Sequence, residues 1–89
     1  MRFQFAKDAA SVVNDLPPDA AGDLAAAFEH VRDAHDIGDV KDARLLRGAT
    51  VSSSAAVYEI ETKHARSILG VAPDADGTPI VTVLSISAR

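Results

Sequence analysis

Apolar positions recur with two different periods along this chain, and the change of period divides it into two halves. The C-terminal half carries three β-type runs. They are Val57-Tyr58-Glu59-Ile60-Glu61, Arg66-Ser67-Ile68-Leu69-Gly70-Val71, and Pro79 through Arg89. In the first run Tyr58, Ile60 and Thr62 share one face and Val57, Glu59 and Glu61 the other. In the last run alternation places Ile80, Thr82, Leu84 and Ile86 on one face. Val81, Val83, Ser85, Ser87 and Arg89 then fall on the opposite face, away from the helices. Both faces are largely apolar, so this strand is expected in the interior of a sheet. Asp74-Ala75-Asp76-Gly77-Thr78 predicts a hairpin turn, because Asp-Gly favours the positive φ that tight hairpins need. Thr62-Lys63-His64-Ala65 is a turn by position only, with no glycine or asparagine to form it.

Upstream, Met1 to Phe5 alternates, with Phe3 and Phe5 on a core face, and predicts a short strand. Ala6 to Leu16 has helical spacing, and Asp8 near its start suits the helix dipole. Leu16-Pro17-Pro18 breaks it, and Pro18 fits the first turn of a second helix. That helix is expected to run to about Asp36. Its stripe is Leu24, Phe28, Val31 and His35, its alanines face the first helix, and Gly38 is a left-handed cap. Residues 43–48 are expected to be extended or a short turn, and Thr50 to Ser54 a mobile polar connection. The predicted fold is α+β: an N-terminal strand and a helical hairpin packed on a mostly antiparallel four-stranded sheet, in the order β-α-α-β-β-β. The first strand is expected beside the last.

At 89 residues the chain is one domain, 1–89, with a small core and a thin stability margin. It has no cysteine, which leaves no disulfide framework and no thiolate metal site. No apolar run approaches the ~18 residues of a membrane span, and the N-terminus lacks the apolar block of a signal peptide. A cytoplasmic protein away from membranes is therefore expected. The net charge of −4 divides into −5 over residues 1–43 and +1 over 44–89. Only the C-terminal half could offer a basic face to nucleic acid, and a small one.

Four features in order carry a family resemblance. They are Leu46-Arg47-Gly48, then Tyr58-Glu59-Ile60, then Arg66 opening the next strand, then the strand Val81 to Ile86 ending in Arg89. With the helices ahead of them, they resemble the RelE/ParE superfamily of toxins from type II toxin–antitoxin pairs. The resemblance implies a toxin held by a cognate antitoxin. It would act either by ribosome-dependent, metal-independent mRNA cleavage or by inhibiting DNA gyrase, with no cofactor. On the nuclease reading Arg66 and Arg89 are the catalytic candidates, and Arg47, Lys63, Arg66 and Arg89 the phosphate-binding set. Bidentate guanidinium contacts suit that task.

Two positions depart from the nuclease pattern. Glu59 and Glu61 stand where RelE-type enzymes tend to carry lysines, and carboxylates there repel a phosphate. No tyrosine or histidine follows Arg89 to move a proton. These departures favour a second reading, a non-catalytic protein-binding module on the same scaffold, with Glu59 and Glu61 as partner contacts. The plainer reading of that pair is a solvated strand face bridged to Arg66 or Lys63. His64 is expected to be an exposed turn residue. His30 and His35 fall on different helix faces, so they share no metal site.

Overall fold

The computed structural model describes residues 2–48 and 56–89; the expected mobile stretch, Thr50 to Ser54, lies outside them. The chain is α+β, with two helices on one face of an open mixed sheet. In chain order the elements are β1 (Arg2–Phe5), α1 (Lys7–Val13), α2 (Pro18–Asp33), a 3-10 turn (Ile37–Asp39), β2 (Ala43–Leu45), β3 (Ala56–Glu61), β4 (Ala65–Pro73) and β5 (Pro79–Ala88). The sheet order is β1-β5-β4-β3-β2. β1 runs parallel to β5, and the other three pairings are antiparallel.

The expected four strands become five. Ala43–Leu45 pairs with β3, Ala43 opposite Ile60 and Leu45 opposite Tyr58, and Leu46 N–H donates to Val57 C=O at 2.8 Å. Its apolar–polar–apolar alternation spans only three residues, too short to stand out in sequence. The placement of β1 beside the last strand is as expected.

α2 begins on Pro18 at its first turn. Its buried stripe is Ala20, Leu24, Ala27 and Val31, one position round from the expected line. Small alanines let the helix lie close to the sheet, and Phe28 moves to the margin against Phe3 and Phe5. The helix stops at Asp33, short of Asp36, and His35 is exposed beyond it. Asp36 accepts from Gly38 N–H at 3.0 Å, a local side-chain bond that competes with helix continuation. Gly38 therefore sits in the 3-10 turn; the positive-φ glycines are Gly48 and Gly77. α1 likewise ends at Val13 rather than Leu16.

The core joins Ala9, Leu24 and Val31 of the helices to Ile60, Leu69, Val81, Val83 and Ile86 of the sheet. Val81 and Val83 thus face the helices, on the side opposite to the one expected for them. The register between β4 and β5 shifts at Ile68/Leu69: Ile68 opposes Ser85, Leu69 opposes Val83, and Leu84 has no partner. This β-bulge inverts the parity of β5, so Val83 and Ile86 both reach the core while Thr82 and Ser85 face away. Phe3 packs against the core, but Phe5, expected to be core, is 42% exposed.

Candidate functional site

Apart from Arg2, which pairs with Asp74 at the β4–β5 hairpin, the charged residues of the sheet collect at the end where β3 turns into β4, in two adjoining clusters. The first lies on the sheet face away from the helices. Arg44 on β2 is paired with Glu59 on β3, and Glu61 is paired with Arg66 on β4. Arg44 reaches straight across to Glu59, and Arg66 reaches it diagonally. Arg44 Nη2 donates to Glu59 Oε1, and Arg66 Nε donates to Glu59 Oε2 at 2.5 Å. Glu59 is only 3% exposed, whereas both arginine side chains remain largely in solvent. The hydrogen bond from Arg66, against the penalty of burial, holds the Glu59 carboxyl below the usual glutamate range, and Arg44 adds to it. The pairing to Arg66 matches one sequence expectation, but Glu59 is buried rather than solvated.

The second cluster lines a cleft of about 490 Å³ between α2, from Gly22 to His30, and the β3–β4 turn, with Asp23, His30, Asp42, Glu61, Lys63 and Arg89 on its walls. Arg89 Nη1 donates to Thr62 C=O at 2.8 Å and lies 3.2 Å from Glu61 Oε1. Asp23 Oδ2 accepts the His64 backbone N–H at 3.0 Å and lies 3.1 Å from His64 Nδ1. Burial raises the Asp23 carboxyl, but the His64 N–H and ring, with the nearby Thr62 hydroxyl, outweigh it and leave it below its ordinary value. The Thr62 hydroxyl also accepts Ala65 N–H at 3.0 Å, which closes the turn. Side-chain oxygens thus supply the turn chemistry that glycine or asparagine would otherwise give. His64 is half-buried and tied to α2 rather than loose in solvent.

The structure brings Glu61, Lys63 and Arg89 together in the cleft, and Glu59 and Arg66 together beside it. Arg47 lies apart, exposed, next to Gly48 in the turn after β2. Of the arginines expected to converge on a phosphate, Arg66 is held by Glu59, and Arg89 by Glu61 and Thr62. Sequence reasoning missed Arg44 and Asp23. The alternation Ala43-Arg44-Leu45 was a faint signal for Arg44. Nothing local links Asp23 to a residue 41 positions away.

Chemically, the Asp23–His64 pair has the form of a carboxylate-oriented base. It works here as a clasp, because the oxygen that orients the ring also takes the backbone N–H of the same residue. No grouping of three or more His, Cys, Asp or Glu suited to a metal ion occurs among the described residues. No helix among them is long and apolar enough to cross a membrane. No known family model matches the chain, and no curated protein is significantly similar to it.

Proposed function

We propose that this chain is a RelE/ParE-like inhibitor of bacterial growth that acts by contact with a protein target and is neutralised by a cognate antitoxin. The ordered residues from Leu46 to Arg89 support the family reading. The observation that carries the protein-contact reading is the capture of Arg44 and Arg66 by the buried carboxylate of Glu59. A phosphodiester placed there meets a guanidinium pair already neutralised to a net +1, with Glu61 alongside. RNA cleavage without metal needs cations free to follow charge as it develops on phosphorus. Here Arg66 is paired with Glu59 and Arg89 with Glu61. A protein partner makes no such demand, and mixed charges around a shallow cleft suit a polar interface rim.

Induced expression with pulse labelling of DNA and protein synthesis tests this reading. DNA synthesis should fall first, as for a gyrase-directed toxin, and Arg66→Ala should keep its effect if the variant folds. Early loss of protein synthesis with cut mRNA on ribosomes would instead assign RelE-type cleavage. Normal growth with folded protein present would leave a binding module with no toxic activity.

A further inference from the structure

Asp76 and Gly77 form an Asp-Gly step at the tip of the β4–β5 hairpin, and both are exposed. In such a step the glycine nitrogen is open to the aspartate side chain, because no side chain stands beside it. The site has room for that approach. Gly77 has φ of +86°, and among the described residues nothing lies within 4 Å of the position a Cβ would take. Both groups that would react are nevertheless in use. Gly77 N–H, the nucleophile, donates to Asp74 C=O at 3.1 Å. The Asp76 carboxyl, the electrophile, accepts Thr78 N–H through Oδ1 at 3.0 Å. Asp74 closes the turn around them. Its Oδ1 accepts Asp76 N–H at 2.9 Å and Thr78 N–H at 3.1 Å, and its own N–H donates to Thr78 C=O at 2.9 Å. Its Oδ2 accepts from Arg2 Nη1 at 2.6 Å, so the turn is anchored from β1, 72 positions away. The hydrogen bonding led by Asp74 also holds the Asp76 carboxyl at about 2. The neutral acid, which is the form that acylates an amide, is therefore scarcer than for an ordinary aspartate.

We propose that Asp76-Gly77 is a site of isoaspartate formation, kept closed in the folded chain by Asp74 and its Arg2 anchor and opened when the hairpin tip frays. On opening, the Gly77 nitrogen gives up its proton and bonds to Asp76 Cγ. A carboxyl oxygen leaves Cγ as water, and a cyclic imide results. Water then adds to one of the two imide carbonyls. Cleavage of the new Cγ–N bond restores aspartate. Cleavage of the original bond, from the main-chain carbonyl of Asp76 to the Gly77 nitrogen, leaves the chain running through the side chain, with a free α-carboxylate. Water is lost and then regained, so the mass is unchanged and solvent is the only co-reactant. The isomer carries an extra backbone atom between Asp76 and Gly77. Gly77 N–H to Asp74 C=O and Asp74 N–H to Thr78 C=O then cannot both close, and the facing pair Pro73 and Pro79 loses the turn that joins it. The modification thus holds open the tip whose opening allowed it.

The test is to warm the chain at mildly acidic pH, digest it, and assay the peptide that contains residue 76. Isoaspartate shows as a shift in retention at unchanged mass, and electron-transfer fragmentation places the altered linkage. The unmodified sequence in denaturant gives the rate of the open chain. The folded chain should react at Asp76 more slowly by about tenfold or more, because reaction then requires local opening. Asp74→Ala should raise the folded rate by about tenfold, the order expected when hydrogen bonds are lost from the closed state alone. Arg2→Ala should raise it by only about two- to threefold, because the arginine side of that pair is 67% exposed. If Asp74→Ala fails to fold, Arg2→Ala carries the comparison, since it leaves the bonds within the turn in place. No isoaspartate at Asp76 in the denatured chain would overturn the site. Equal rates for the denatured chain, the folded chain and the variants would overturn the closure. So would faster formation in the folded chain, because the turn would then be presenting the two groups to each other.

Discussion

Asp23 holds His64 through both its backbone and its ring, with one carboxylate oxygen at 3.0 and 3.1 Å. This single residue of α2 fixes the β3–β4 turn against the helix. Asp23→Ala should lower the melting temperature by a few degrees, and hydrogen exchange should rise first at residues 62–65. The folded carboxyl sits below its ordinary value. Its contribution is therefore complete above about pH 4, the ordinary aspartate pKa, and is lost as pH falls through the folded pKa. The gap between wild type and Asp23→Ala should close as acidification takes the pH through the lowered folded pKa and be constant from neutral pH upward.

The bulge in β5 makes a prediction opposite to that of simple alternation. Val83 is fully buried beneath the helices, while Leu84 is half-buried and has no partner on β4. Val83→Ala should cost about 2 kcal/mol in denaturant unfolding, and Leu84→Ala less than about 1 kcal/mol despite the larger side chain removed. Equal costs, or a larger one at Leu84, would place Leu84 in the core and remove the bulge.

That bulge marks where the sequence stops being legible. The element types followed from period alone, since Leu24 and Val31 at helical spacing and Ile60 at strand spacing all reach the core. The parity of β5 did not, because an extra residue in one strand leaves no compositional trace when both faces are apolar. Ala43–Leu45 was half-read for a related reason: three residues carry too little pattern, and only pairing with β3 makes them a strand. At the candidate site, Arg66 and Arg89 were named through the family resemblance and a bridge from the glutamates to Arg66 was expected, but neither the burial of Glu59 nor the hold of Glu61 and Thr62 on Arg89 could be read. The end of α2 moved because the Asp36 side chain takes a backbone donor locally, a choice that helix spacing cannot express.

Gly77 in the β4–β5 hairpin has φ of +86° with nothing near its α-carbon for an added methyl to meet. The cost of substitution is then conformational rather than steric. Gly77→Ala should destabilise by about 1 kcal/mol, and Gly77→Asn by less, since asparagine tolerates this region. The turn is otherwise well made: Asp74 Oδ1 accepts the N–H groups of Asp76 and Thr78 at 2.9 and 3.1 Å. Its hydrogen bonding, led by Asp74, holds the Asp76 carboxyl at about 2. A loss from Gly77→Asn as large as from Gly77→Ala would mean that the turn depends on more than backbone conformation.

Glu59 separates structural from functional roles for the arginines around it. Glu59→Gln keeps the shape but removes the charge that both Arg44 and Arg66 face. Stability should drop by about 1–2 kcal/mol, the smaller end following from how exposed the guanidinium partners are. Because the folded carboxyl is lowered, this difference is present above about pH 4.3, the ordinary glutamate value, and vanishes in acid as both proteins become neutral there. The same substitution leaves two cations on the sheet face without their counter-charge. Binding to a single-stranded RNA probe at low salt should then appear or strengthen, with a slope against salt steeper by about one counterion. Adding Arg66→Ala should remove that gain. If wild type already binds RNA as tightly as Glu59→Gln, the carboxylate is not masking the arginines, and the protein-contact reading loses its main support. If binding appears only when Glu59 is neutralised, the buried glutamate is what keeps this face from acting as a phosphate site.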